Sequence, residues 1–121
     1  MIDKITESEF EIMKALWDYE NPLTFSDIRK YVQRNNGWSP STIKTLLYRL
    51  CEKGAVSQKK EDVYYYRPLI SQEEYSDHTT QSLIDKLYNG KAANLIATLV
   101  KNDTLAKADI DELRKLLHGE D

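Results

Sequence analysis

The chain has 121 residues, 40% of them apolar and 31% charged, with 4 Gly, 3 Pro and a net charge of −3. That composition fits one soluble, mostly helical domain with or without a small appendage, and it excludes collagen-like and low-complexity classes. No apolar run approaches the roughly 18 residues that a bilayer crossing needs. The opening MIDKITE is too acidic and too polar for a secretory signal, so a cytoplasmic location is expected. A single cysteine, Cys51, excludes an intrachain disulfide. With only His78 and His118 beside it, no metal and no other cofactor is expected.

Four helix starts repeat one device, in which a hydrophobic residue precedes a cap and a polar residue three positions on is followed by an apolar one. Ile5-Thr6 with Glu9 and Phe10 is the first, and Leu23-Thr24 with Asp27 and Ile28 the second. Trp38-Ser39 with Thr42 and Ile43 is the third, and Ile70-Ser71 with Glu74 and Tyr75 the fourth. Pro40 stands at the first position of the third helix, where its missing N–H costs nothing. Behind each cap the apolar spacing is helical. Phe10, Met13 and Trp17, with Ile12 and Leu16, line the first helix; Ile28, Tyr31 and Val32 line a short second one ending near Arg34. Ile43, Leu46, Leu47, Leu50 and Cys51 stripe the third, and Gly54 falls where a left-handed cap belongs.

The pattern then changes. Residues 55–60 and 63–69 are short runs around Glu61-Asp62, and Val63, Tyr64, Tyr65 and Tyr66 make the second a strand of a hairpin. Strand alternation puts Tyr64 and Tyr66 on one face and Tyr65 on the other, with most of them expected to pack under the hairpin against the third helix. From Ser71 the spacing is helical again. A fourth helix runs to about Asn89-Gly90, a fifth carries Ala92, Leu95, Ile96, Leu99 and Val100, and a sixth carries Ile110, Leu113, Leu116 and Leu117. The fold class is therefore mainly α: a winged helix-turn-helix of three helices plus a β-hairpin wing, then a three-helix domain. The junction at Pro68 to Ser71 sets the domains at 1–70 and 71–121.

The net charge hides a split. Residues 29–60 hold eight basic side chains against the single acid Glu52, a net +7, whereas residues 71–121 carry −4. The concentration of positive charge suggests a polyanion-binding surface. On the third helix, the face opposite the apolar stripe carries Ser41, Thr42, Lys44, Thr45, Tyr48 and Arg49, with no acid from 38 to 51. Hydroxyls and helix N-terminal amides suit phosphate oxygens, and lysine or arginine suits guanine edges. Arg49, a turn further on, is better placed for phosphate. On the wing, Lys59 and Lys60 rather than the acidic tip should touch the backbone.

The stretch GWSPSTIKTLLYRLCEKG followed by VYYYRP resembles the penicillinase-repressor and methicillin-resistance-repressor family of bacterial transcription factors. ESEFEIMKALW near the start and DIDELRKLL near the end are similar to the same family, so the resemblance spans about residues 5–118. It implies a homodimeric repressor of palindromic operator DNA, with control of β-lactam resistance or a cell-envelope response. By position it implies that Thr42 and Lys44 contact bases and that Ser41, Thr45 and Arg49 contact the backbone; Tyr48, on the same face, joins the backbone set. Three departures stand out. Lys44 replaces an arginine common in the family, which removes a bidentate fork. The C-terminal cysteine motif of copper-responsive members is absent. Thr98-Leu99 occupies the place of the Asn-Phe bond cut in helix 5 of drug-responsive members, whose signal comes from a membrane sensor-protease.

A C-terminal region this short rarely buries a core alone. Its stripes of Leu83, Leu87, Leu95, Ile96, Leu99, Ile110, Leu113 and Leu117, with Tyr75 ahead of them, are expected to face a second copy. Cys51, on the apolar stripe, reads as a small hydrophobe rather than a sensor. No nucleophile, phosphate loop or paired-acid pattern is present, so no catalysis is expected. A different class, a winged-helix protein-interaction module without DNA function, would not concentrate its positive charge on the third helix and wing.

Overall fold

The structure, a computed structural model, describes residues 2–119; the last two residues of the expected 71–121 domain lie outside them. A 3-10 turn (Ile2–Lys4) leads into α1 (Glu7–Trp17), β1 (Leu23–Thr24), α2 (Phe25–Val32) and α3 (Pro40–Glu52). Then come β2 (Val56–Lys60), β3 (Tyr64–Pro68), α4 (Gln72–Tyr88), α5 (Ala92–Lys101) and α6 (Lys107–His118). The expected order holds, with one addition. β1 pairs with β3 through Leu23 opposite Tyr66, so the wing belongs to a three-stranded antiparallel sheet in the order β1-β3-β2. Two residues carry no readable period, which is why Leu23-Thr24 shows in the sequence only as a helix cap. At the other end of the wing, Val63 belongs to the turn and not to the strand: its carbonyl accepts from the Glu61 N–H at 2.9 Å, and it is exposed.

The helix starts lie where the caps put them. Thr6 Oγ1 accepts from the Glu9 N–H at 3.1 Å while the Glu9 carboxylate accepts from the Thr6 N–H at 3.0 Å. Thr24 with Asp27 and Ser71 with Glu74 form the same reciprocal box. Ser39 Oγ accepts from the Thr42 N–H ahead of Pro40. α3 closes on Gly54 at φ 77, with Ala55 N–H donating to Leu50 O at 2.9 Å and Gly54 N–H to Cys51 O at 3.0 Å.

The described residues fall into two compact units that divide between Thr79 and Thr80. The first has a continuous core. Ile12, Met13 and Leu16 of α1 meet Ile28 and Val32 of α2, Ile43, Leu46, Leu47 and Leu50 of α3, and Val56, Tyr66 and Ile70. Each such side chain contributes about 1.5–3 kcal/mol when fully buried. Glu9 is the charged exception, only 1% exposed. Its Oε1 pairs with Lys53 Nζ at 2.5 Å, and the same ammonium donates to Lys4 O at 2.6 Å, so Lys53 ties the N-terminal turn to the end of α3. Burial by itself would raise the Glu9 carboxyl, but the Lys53 ammonium and the Thr6 N–H outweigh it and hold it below its ordinary value.

The unit boundary differs from the expected junction at 68–71 because α4 begins inside the first unit. Tyr75 stacks on Phe10 with centroids 5.2 Å apart and lies 5.5 Å from Trp17, whose Nε1–H donates to Ile70 O at 2.8 Å. Tyr75 is thus half-buried against the core of this unit, where the sequence suggested a place on the subunit-facing stripe. In the second unit, Ile84 is the one buried residue among those described, and α5 and α6 have none. Leu95, Leu99 and Leu113 are half-buried, and Leu83, Leu87, Ile96, Ile110 and Leu117 are exposed. A groove of 310 Å³ between α5 and α6 is lined by Ile96, Leu99, Leu105 and Leu113, with Asp109 and Glu112 beside them. At the start of α6 the Asp109 carboxylate accepts from the Ala106 N–H at 2.9 Å, but alanine has no oxygen with which to return the bond.

Candidate nucleic-acid interface

α3 is presented by its own burial pattern. Ile43, Leu46, Leu47 and Leu50 are held in the core, which leaves Ser41, Thr42, Lys44, Thr45, Tyr48 and Arg49 exposed together on the opposite side. The turn leading into the helix is fixed by Asn36 Nδ2, which donates to Glu11 Oε1 and to Val32 O, both at 3.3 Å. Gln33 Nε2 donates to Trp38 O at 3.0 Å. The hydroxyls cluster at the helix N-terminus. Ser39 Oγ lies 3.1 Å from both Ser41 Oγ and Thr42 Oγ1, and Thr45 Oγ1 donates back to Ser41 O at 3.0 Å. Pro40 has no N–H and the Thr42 N–H is taken by Ser39 Oγ, so the donors offered to phosphate oxygens here are the Ser41 amide and the clustered hydroxyls.

The cations on this side are not equivalent. Lys44 Nζ lies 5.2 Å from the centroid of the Phe25 ring, a cation–π contact that aims the side chain along the surface of α2. Lys60 Nζ lies 5.8 Å from the Tyr64 ring, and Lys59 Nζ sits 3.7 Å from Glu61 with both partners exposed. That exposed pair is worth little, so Lys59 is available to an anion. Lys53, counted in the basic segment, is committed to buried Glu9. Arg34 lies over the Tyr31 ring, and the Tyr31 hydroxyl donates to Asp18. That bond, with burial and the Asp18 charge, pushes the Tyr31 phenol up to about 12.

The wing tyrosines divide differently from the expectation that most would be buried. Tyr66 is buried, Tyr65 is half-buried and Tyr64 is exposed. Tyr64 and Tyr66 do share one face, since both line a cleft between the wing and α3. Glu52, one turn beyond Tyr48, pushes the Tyr48 phenol up, first by accepting its hydrogen bond and then by its charge. Cys51 packs against the core, and its thiol is pushed up by burial and then by Glu52. It therefore carries little thiolate, the form that reacts.

Sequence reasoning missed the Glu9–Lys53 pair and the Phe25 platform. The first had a signal: Glu9 stands at helical spacing with Ile12, Met13 and Leu16, so it falls on the buried face. Phe25 had none, because its ring meets Lys44 across 19 residues of chain.

Several known proteins are similar to this chain. The sequence model of the penicillinase repressor family matches residues 5–119. The penicillinase repressor of Bacillus licheniformis is 32% identical over 117 residues, covering 96% of this chain and 91% of that protein. The methicillin resistance regulatory protein MecI of Staphylococcus aureus is 30% identical over 116 residues, covering 95% and 94%. Among solved structures, the DNA-binding domain of the repressor BlaI superposes with a TM-score of 0.55 at 36% identity, over 62% of this chain and 92% of that one. The monomeric form of Bacillus licheniformis BlaI in complex with the blaP half-operator gives a TM-score of 0.54 at the same 36% identity. With a match this long, the chain belongs to the penicillinase repressor family.

Proposed function

We propose that this chain is a transcriptional repressor that binds a palindromic operator as a homodimer, with α3 in the major groove and the wing along the backbone. The observation that carries it is the exposed side of α3, where hydroxyls, Lys44 and Arg49 stand together with no acid from 38 to 51. The half-operator complex of a relative that is 36% identical supports the same reading. Thr42 and Lys44 read base edges; Ser41, Thr45, Tyr48, Arg49, Lys59 and Lys60 hold the backbone. The exposed and half-buried apolar side chains of residues 80–119 meet those of a second copy, which matches twofold protein symmetry to the palindrome.

The test is binding of the full chain to a duplex from upstream of its own gene and to a shuffled duplex of equal length. Repressor function predicts at least about a 1,000-fold preference for the first at physiological salt. Equal affinities would overturn it and favour a protein-interaction module.

Induction by proteolysis, through a membrane sensor-protease, places the cut at Thr98-Leu99. Both residues are half-buried in the C-terminal half of α5, so cleavage waits on local opening of the helix. The cut would detach α6 and weaken the dimer. Mass spectrometry of the protein from cells before and after exposure to a cell-wall antibiotic checks this, and intact chains in derepressed cells would exclude it.

A further inference from the structure

Between the first turn of α2, α3 and the wing lies a cleft of 580 Å³. That volume falls inside the range of about 300–1,000 Å³ typical of small-ligand sites. Leu47 and Tyr66 are its buried walls, Phe25 is half-buried beside them, and Tyr48 and Tyr64 are exposed at its rim. Lys44 is the one charged side chain among the described residues lining it. Among the described residues no carboxylate lines the cleft, and none lies within ion-pair distance of Lys44. The Lys44 ammonium instead rests over the Phe25 ring. Aromatic walls favour a flat ring through stacked or edge-on contact. A lone ammonium at the wall, paired only with a ring face, gains a stronger charge-assisted bond when a carboxylate arrives.

We propose that this cleft binds a small aromatic carboxylate, and that its occupant excludes operator DNA. The second half rests on reading α3 and the wing as the duplex interface. Lys44 cannot serve a base edge and a carboxylate at once. A ring seated between Tyr48 and Tyr64 would also stand in the space the groove wall takes up against α3. The control is direct competition at one surface and needs no second conformation of the protein.

The experiment is an NMR titration of the nitrogen-15-labelled full chain with 2-naphthoate and, separately, with its neutral counterpart 2-naphthalenemethanol. The expected result is saturable shifts of the Phe25, Lys44 and Tyr64 amides, with naphthoate about two- to fivefold tighter than the alcohol. Lys44→Met should abolish that preference while the ring still binds. Operator affinity, read by fluorescence anisotropy, should fall in proportion to naphthoate concentration. Absence of shifts, shifts confined to α5 and α6, equal affinity for both probes, or unchanged operator affinity at saturating naphthoate would each overturn the proposal. The titration needs no DNA. A chain that bound naphthoate in the cleft but recognised no duplex would sink the repressor reading and the exclusion step, and leave the pocket standing.

Discussion

Residues 2–79 and 80–119 are built from similar helices and bury them to opposite degrees. The first unit sinks apolar side chains from α1, α2, α3 and the sheet into one cluster and holds a buried carboxylate there against a half-buried lysine. The second buries Ile84, while Leu116 is 69% and Leu117 81% exposed on α6. Scattered exposed leucines are ordinary, but stripes of them along successive helices mark an interaction surface. The contrast teaches where folding free energy comes from in each part. The first unit contains its own, and the second leaves apolar stripes uncovered, which the proposed pairing with a second copy would bury.

The largest expected effect comes from cutting the two apart. A fragment ending at Thr79 should fold cooperatively and sediment as a monomer, whereas the full chain should sediment as a dimer. Its operator affinity should fall by about 100-fold or more, since the second half-site no longer binds intramolecularly. A dimeric fragment would break the comparison. Ending the fragment at residue 70 would be a poorer test, because it discards Tyr75 from the Phe10–Trp17 cluster.

Next in size are single truncations in each unit. Ile43→Ala in the core should lower unfolding stability by about 2–5 kcal/mol. Leu117→Ala, at an exposed position, should leave that stability within about 0.5 kcal/mol at protein concentrations where the chain is monomeric. It should instead raise the dimer dissociation constant, measured by sedimentation equilibrium. Similar losses of stability from both substitutions would contradict the division.

The ion pair sharpens the same point. Glu9→Ala leaves the Lys53 ammonium without its carboxylate and should cost about 1.5–3 kcal/mol, since Lys53 is partly exposed and keeps the Lys4 carbonyl. Because Glu9 is held below its ordinary value, the folded state binds its proton less readily than the unfolded chain. Its contribution is therefore present above the ordinary 4.5 and is lost as pH falls through the lower folded value. Urea melts of the wild type should weaken below that pH, and those of Glu9→Gln should weaken less. The smallest effect is Lys59→Ala, which should loosen operator and shuffled duplex alike and lower the salt slope by about one unit.

Much of the first unit was legible because local and tertiary signals agree there. Thr6, Thr24, Ser39 and Ser71 are caps by chemistry, and all four mark helix starts. Gly54 ends α3 because a left-handed residue is needed there. The rest depended on contacts between distant residues. β1 is strand only because Tyr66 comes to pair with Leu23, and Tyr75 is half-buried only because Phe10 and Trp17 lie against it. Thr42 and Lys44 could be placed on the exposed side of α3 from spacing alone, but the Phe25 ring that orients Lys44 could not.

Lys44→Ala decides whether the exposed side of α3 reads sequence. Affinities of wild type and variant should be measured by fluorescence anisotropy on operator and on shuffled duplex at one salt concentration. If Lys44 reads a base edge, the variant should lose about 1–3 kcal/mol on operator and much less on shuffled DNA, so that sequence preference relaxes. Equal losses on the two duplexes would contradict it and reduce Lys44 to a phosphate contact.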